Sequence, residues 1–186
     1  FIDKTYKRNN TFFDDEIVCH VSMAKPTSDS LMKACINALD RLDVRYFSGG
    51  TYIAIEGPQF STYAESKDYK NSGADIIGMT NMPEAKLSRE AEIRYATIGM
   101  VTDYDCFKEE YLDVDINKII LTLKKNVEVA KNIIDVLIET YDINISSSDP
   151  ADNCLDSAII SNISTSSAKT LNKLNNIMRR YKNDNK

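Results

Sequence analysis

The sequence is poor in residues that many catalytic centres need. It contains no tryptophan and a single histidine, His20, in 186 residues. A Ser-His-Asp or Cys-His centre would have to use that histidine, yet no G-x-S-x-G motif accompanies it. One histidine and scattered carboxylates also do not make a typical metal-ligand set. We therefore predict neither a hydrolytic triad nor a bound metal.

Several sequence motifs are absent as well. Neither the P-loop pattern nor G-x-G-x-x-G occurs, so the usual phosphate cradle of nucleotide-binding folds is missing. No C-x-x-C pair occurs, which disfavours a zinc site and a disulfide framework. The widely spaced cysteines favour a reducing, cytoplasmic compartment, and they are Cys19, Cys35, Cys106 and Cys154.

Charge and hydropathy exclude two further classes of partner. The net charge is -5, and no basic cluster with interleaved aromatic residues appears, so nucleic acid is not a predicted partner. No apolar run approaches the ~20 residues of a membrane span, and no signal peptide is recognisable. A hydrophobic fraction of 42% with 27% charged residues suits one globular domain with a sizeable core.

Three nearly continuous apolar runs predict strands that are buried on both faces, at residues 52–55, 74–79 and 95–101. Two predicted helices separate them. The first, 62–72, begins with a Thr62-x-x-Glu65 capping box, and the second, 83–94, has proline in its first turn. This β-α-β-α-β order predicts an α/β fold with a largely parallel central sheet flanked by helices.

Further elements surround this core. The patterns predict a strand at 17–23 and a helix at 28–42. They also predict a hairpin of 44–47 with 51–55, which would add an antiparallel strand and make the sheet mixed. A long amphipathic helix is predicted at 113–141, with Asp113 or Asp115 as its N-terminal cap. We divide the chain into a domain at 1–141, a polar Ser/Asn-rich loop or disordered stretch at 142–168 and an amphipathic helix at 169–186.

A short polar signature follows each of the three predicted strands. The signatures are Glu56-Gly57-Pro58-Gln59-Phe60-Ser61, Met79-Thr80-Asn81 and Thr102-Asp103-Tyr104-Asp105. Parallel sheets bind ligands beyond the carboxyl ends of their strands, so we expect these residues in one crevice. The residues alone leave simpler interpretations open, namely core packing for the apolar members, a helix cap for the aspartates and a structural histidine at position 20.

The ordered series of motifs resembles the trimeric purine nucleoside phosphorylase superfamily over about residues 1–141. The matching motifs are Phe1-Ile2-Asp3-x-Thr5, Cys19-His20-Val21-x-Met23-Ala24-x-Pro26, Glu56-Gly57-Pro58-x-Phe60, Gly73-Ala74-Asp75, Gly78-Met79-Thr80, Met82-Pro83-Glu84 and Thr102-Asp103-Tyr104-Asp105-Cys106. The resemblance implies a nucleoside phosphorylase-like fold whose N-terminal part, with its glycine-rich phosphate loop, is missing here. It also implies a homotrimer.

Within the superfamily, the resemblance implies phosphorolysis of S-methyl-5′-thioadenosine to adenine and 5-methylthioribose 1-phosphate. Members that cleave 6-oxopurines carry Glu and Asn where this chain has Ser61 and Asp103. A carboxylate accepts a hydrogen bond from a 6-amino group and repels a 6-oxo group. A protonated Asp103 can also protonate N7 of the leaving adenine, with Asp105 supporting it or contacting the amino group.

The resemblance also implies the remaining site residues. Phe60 stacks on the purine, Ser61 and Thr102 complete the base pocket, Met79 lies under the ribose, and Thr80 contacts phosphate or the ribose hydroxyls. The 5′ pocket consists of Ile116, Ile119 and Ile120, with His20 from a neighbouring subunit. No cofactor is expected, because inorganic phosphate is the co-substrate. Two alternatives are a phosphorylase for adenosine or 6-oxopurines and a non-catalytic nucleoside-binding fragment.

Overall fold

The computed structural model describes residues 1–106, 116–142 and 148–182. Its strands are β1 (Ile2–Lys4), β2 (Tyr52–Ile55) and β3 (Ile76–Gly78). Its α-helices are α1 (Asp29–Arg41), α2 (Tyr63–Asn71), α3 (Asn81–Glu90), α4 (Ile116–Thr140) and α5 (Ala168–Lys173). Short 3-10 helices follow at Cys154–Asp156, Ile163–Thr165 and Arg179–Lys182. Within these ranges no helix is both long and apolar enough to cross a membrane.

The three strands form one parallel sheet in the order β1-β2-β3. In the register, Ile53 of the central strand pairs with Ile2 on one side and Ile77 on the other. Ile53 and Ala54 are fully buried because β2 is covered on both faces. Ile53 packs in the cluster that contains Ala74 and Tyr69, whereas Ala54 packs in the cluster around Met82. This confirms the predicted α/β class.

Helix α2 begins where its sequence indicated. The Thr62 hydroxyl accepts a hydrogen bond from the Glu65 N–H at 3.3 Å, and the Glu65 carboxylate accepts from the Thr62 N–H at 2.8 Å. Both halves of the capping box are therefore formed, and the chain leaves the helix through Gly73 at a φ of 86°. The capping box fixes the direction in which the Glu56–Ser61 signature enters the helix.

Replacing Thr62 by alanine is expected to lower the free energy of unfolding by about 1 kcal/mol, because the cap hydrogen bond is lost. Urea unfolding of the full-length protein measures this. Thr62→Ser is the matched control, because serine keeps the capping hydroxyl, and it should stay close to the wild type. Equal losses in the two variants would contradict the capping role.

Three predicted strands are wrong. Residues 95–101 form no strand, since the carbonyl oxygens of Tyr95 and Val101 accept from the Ser28 N–H at 2.8 Å and from Asn126 Nδ2 at 3.2 Å. Residues 44–47 form no hairpin, because the Val44 N–H donates to the Leu39 carbonyl at the end of α1. Residues 17–23 contain only an isolated antiparallel bridge between Cys19 and Ile159. Apolar content alone does not supply the neighbouring strand that a ladder needs.

Two helices pack against each other beside the sheet. Helix α1 begins at the Ser28 cap, as predicted, and buries Ala38 and Leu39 against Ile133 of α4. The predicted cap of α4, at Asp113 or Asp115, lies outside the described residues. Helix α3 was predicted over 83–94, but it ends at Glu90, and Glu92 follows with a φ of 55°. The positive φ stops the helix, because a residue in that conformation cannot continue it.

The C-terminal residues pack onto the N-terminal part of the chain. Leu155, Leu174 and Met178 form one buried cluster with Phe13 and Ile17. Ion pairs join the same parts, among them Arg94 with Asp152 at 2.7 Å, Arg180 with Glu92 at 2.6 Å and Lys173 with Asp14. The disorder considered for 142–168 therefore does not describe residues 148–168. The single helix predicted at 169–186 is also wrong, because α5 ends at Lys173 and a separate 3-10 helix follows.

Candidate functional site

The signature after β2 leaves the sheet through a glycine. Gly57 has a φ of 69°, and a Cβ atom there would lie 2.6 Å from Met79 Sδ. A side chain at position 57 would therefore displace Met79, the first residue of the signature after β3. Because position 57 is a glycine, the Met79 side chain can pack closely against it, and this contact joins the first two signatures.

The third signature reaches the first through Cys106. The Cys106 thiol donates to the Ser61 carbonyl oxygen at 3.3 Å. Burial raises the pKa of Cys106, which keeps the thiol protonated and able to donate. The Ser61 hydroxyl is buried and has no hydrogen-bond partner among the described residues. All three signatures thus meet at one end of the sheet.

Asp103 and Asp105 are held by short-range hydrogen bonds. The Thr102 hydroxyl donates to Asp103 Oδ2 at 2.7 Å, and the Asp105 N–H donates to Asp103 Oδ1 at 2.9 Å. The Ser66 hydroxyl on α2 donates to Asp105 Oδ2 at 2.6 Å. Asp105 also adopts a φ of 56°, which turns the chain back toward α2. The two carboxylates are therefore placed by their neighbours without any cationic partner among these contacts.

The other members of the signatures are open to solvent to different degrees. The Phe60 side chain is 60% exposed, and its ring is available for stacking. Thr80 is exposed at the start of α3, and its hydroxyl makes no capping hydrogen bond. Met79 is partly buried against the sheet cluster of Ile53 and Ile55. This arrangement combines an apolar floor with polar groups at the rim, as small-molecule sites commonly do.

A cavity of about 410 Å³ lies beside the carboxyl ends of β1 and β2. It is lined by Asp3, Lys4, Thr5, Tyr6, Ile55, Glu56, Gly57, Gln59, Ser61, Glu65 and Tyr69. Of the predicted substrate residues, only Ser61 is among them. The cavity therefore adjoins the group of signatures, while Asp103, Phe60 and Met79 lie outside its lining.

The other four predicted residues are Ile116, Ile119, Ile120 and His20, and none of the contacts described above involves them. Ile116 and Ile120 at the start of α4 are 62% and 44% exposed, and Ile119 is partly buried. The residues that connect them to Asp105 are outside the described ranges. His20 is exposed, and its main-chain N–H donates to the Ala158 carbonyl at 2.8 Å, which places it next to the C-terminal segment, residues 148–182.

The sequence interpretation missed two residues, Arg8 and Ser66. Arg8 donates to main-chain carbonyls after β2 and β3, and Ser66 holds Asp105. Neither belongs to a recognisable motif. The one available signal was that Ser66 lies one helical turn after the Thr62 cap, on the face of α2 that turns inward.

The fold and these groups define an α/β protein whose polar signatures gather beyond the carboxyl edge of a parallel sheet. The sequence model of the Phosphorylase superfamily matches residues 1–139, and the chain belongs to this superfamily. The chain is 49% identical over 141 residues to S-methyl-5′-thioadenosine phosphorylase of Bradyrhizobium diazoefficiens, covering 76% of this chain and 48% of that protein. It is 40% identical to the Koribacter versatilis protein of the same name, and the alignment covers 97% of this chain and 61% of that protein.

Solved structures give the same result. A crystal structure of methylthioadenosine phosphorylase from an Antarctic soil metagenomic library aligns with a TM-score of 0.87 and 41% identity, covering 95% of this chain and 62% of that one. Methylthioadenosine phosphorylase from Schistosoma mansoni in complex with adenine aligns with a TM-score of 0.71 and 31% identity, and the alignment covers 77% of this chain and 59% of that one. The chain thus spans about half to three fifths of these relatives. The similarity also continues past residue 141, beyond the extent that the motifs indicated.

Proposed function

We propose that this chain carries the nucleoside-binding part of an enzyme that cleaves S-methyl-5′-thioadenosine with inorganic phosphate into adenine and 5-methylthioribose 1-phosphate. The observation that carries the proposal is the meeting of the Asp103–Asp105 carboxylates with the Ser61 loop, through Cys106 and Ser66. The names of the similar proteins support the substrate class.

In this proposal the base pocket selects a 6-aminopurine. Adenine offers an amino donor at C6, and the carboxylates of Asp103 and Asp105 are acceptors. Asp103, protonated at the moment of reaction, donates to N7 and makes adenine a better leaving group. Phe60 stacks on the purine, and Ser61 and Thr102 complete the pocket. The Ser61 hydroxyl has no hydrogen-bond partner among residues 1–106, 116–142 and 148–182, and this supports the proposal because a bound base would give it one.

The sugar side of the site is proposed on the same basis. Met79 forms an apolar floor under the ribose, and Thr80 contacts phosphate or the ribose hydroxyls. Ile116, Ile119 and Ile120 take up the methylthio group, with His20 reaching the pocket from the neighbouring subunit of a homotrimer. Each buried methylene equivalent contributes about 0.8 kcal/mol. The exposure of Ile116 and Ile120 in the single chain supports a surface that ligand and subunit cover.

Phosphate is the co-substrate in this proposal, and no cofactor takes part. Partners are limited to the small-molecule nucleoside, phosphate and further copies of the chain. We place the protein in the cytoplasm. All four cysteines are free thiols, which supports a reducing compartment.

Adenine release by the full-length protein tests the proposal. We expect release from S-methyl-5′-thioadenosine only when phosphate is present, and a substrate preference of methylthioadenosine over adenosine over inosine. In inosine, the 6-oxo group is an acceptor that faces the carboxylates and is repelled by them. In adenosine, the 5′-hydroxyl would lose its hydrogen bonds to water on entering an apolar pocket. Tight adenine binding without phosphate-dependent turnover would instead support a non-catalytic binding protein. Efficient inosine cleavage would contradict the role of Asp103.

A further inference from the structure

Arg8 joins the carboxyl ends of two strands through their main-chain carbonyls. Its Nη2 donates to the Glu56 carbonyl at 2.8 Å and the Ile55 carbonyl at 3.4 Å, both at the end of β2. Its Nη1 donates to the Met79 carbonyl, directly after β3, and to the Met82 carbonyl at 3.1 Å, in the first turn of α3. These bonds flank two of the three strand-end signatures.

The same guanidinium is paired with a carboxylate that holds a third segment. Arg8 Nε lies 3.5 Å from Glu56 Oε1. Glu56 Oε2 accepts from the N–H groups of Tyr6 at 2.8 Å and Lys7 at 3.2 Å, in the segment after β1. The N–H of Tyr6, the N–H of Lys7 and the charge of Arg8 lower the pKa of Glu56, so the carboxylate stays ionised. One ion pair therefore connects the ends of all three strands.

Arginine suits this position for a geometric reason. Carbonyl groups that leave a sheet at its edge lose their ladder partners and need other donors. A guanidinium carries five N–H donors in a fixed plane, whereas a lysine ammonium has three donors around a single point. Here the two Nη atoms of the guanidinium donate to the carbonyls after β2 and after β3 at the same time. The Arg8 side chain is 28% exposed and the Glu56 side chain 13%, so water does not readily replace these bonds.

We propose that Arg8 is a positioning residue for the nucleoside site. It sets the distance between the loop that carries Phe60 and Ser61 and the turn that carries Met79 and Thr80, without touching the substrate. The inference rests on the proposed function, because those four residues are proposed substrate contacts. A displacement of about 1 Å at a reacting site can reduce catalysis roughly 100-fold.

The test compares Arg8→Ala and Arg8→Lys in the full-length protein with a matched control, Arg94→Lys. Arg94 is also a partly buried arginine in a bidentate ion pair, with Asp152 at 2.8 Å and 2.7 Å, but its partner lies on the C-terminal segment, residues 148–182. Steady-state adenine release gives kcat and KM, and thermal unfolding gives Tm, for each variant. Calorimetry gives the Kd for adenine.

We expect kcat/KM to fall about 100-fold in Arg8→Ala, with a smaller loss, about tenfold, in Arg8→Lys, and with KM for the nucleoside and Kd for adenine both raised. A loss of folded protein alone would lower the apparent kcat and leave KM unchanged. Arg94→Lys should lower Tm without changing KM or Kd. The proposal is overturned if Arg8→Lys behaves like Arg94→Lys. A wild-type protein with no phosphate-dependent adenine release would overturn the proposed function itself, which is a separate outcome.

Discussion

Replacing Asp103 by asparagine in the full-length protein is expected to lower kcat for adenine release about 10²- to 10⁴-fold. Asparagine has nearly the same shape, and its one oxygen can still accept from the Asp105 N–H, now at 2.9 Å, while its amide group can donate to the Thr102 hydroxyl, now at 2.7 Å. It cannot hand a proton to N7 of the departing adenine. Stopped-flow or steady-state measurement of adenine release under saturating phosphate determines the change in kcat.

The same variant should also change base selectivity. An amide offers an N–H donor to a 6-oxo group, which a carboxylate repels, so the ratio of inosine to methylthioadenosine cleavage is expected to rise. Asp68→Asn is the control, because Asp68 is exposed on α2 and belongs to none of the signatures. It should leave both kcat and selectivity unchanged. If Asp103→Asn releases adenine at the wild-type rate, the assignment of Asp103 is wrong.

Replacing Leu155 by alanine is expected to lower the free energy of unfolding by about 2–5 kcal/mol. The Leu155 side chain is 0% exposed and packs in the cluster of Phe13, Ile17, Leu174 and Met178. Alanine removes buried apolar surface and leaves a cavity between the C-terminal segment and the N-terminal residues. Denaturant unfolding of the full-length protein, followed by circular dichroism, measures the loss.

Ile160→Ala provides the matched comparison within the same segment. Ile160 is 66% exposed, so its truncation should change stability by less than about 0.5 kcal/mol. Similar, small effects for Leu155→Ala and Ile160→Ala would show that residues 148–182 do not share a core with the rest of the chain. A large effect at Leu155 alone makes the C-terminal segment part of the folding unit.

Elements that are set by interactions between residues close in the sequence were predictable, and elements that depend on distant partners were not. The start of α2 was predictable because the Thr62–Glu65 capping box acts within one helical turn. Residues 95–101 have the composition of a buried strand, yet their described main-chain bonds go to a helix cap and to the Asn126 side chain. Whether such a segment forms a strand depends on whether another strand lies beside it, and the amino-acid composition of the segment does not report that.

The site divides in the same way. The order of apolar runs and polar signatures predicted that Ser61, Met79 and Asp103 lie close together. The structure brings their signatures together, although the run before Asp103, residues 95–101, forms no strand. The roles of Arg8 and Ser66 were not predictable, because each acts on a residue about 40 or more positions away in the sequence. Such contacts depend on the packing of α2 and the sheet and leave no local pattern.

The sequence by itself determined the α/β class, the capping box of α2 and the three polar signatures. These depend on interactions within a few residues or on periodicity. Only the tertiary structure decided that the polar C-terminal segment closes a core with Phe13 and Ile17, and that Arg8 ties the ends of the strands together. Both depend on long-range packing and on main-chain carbonyls, which every residue has and which therefore carry no sequence signal.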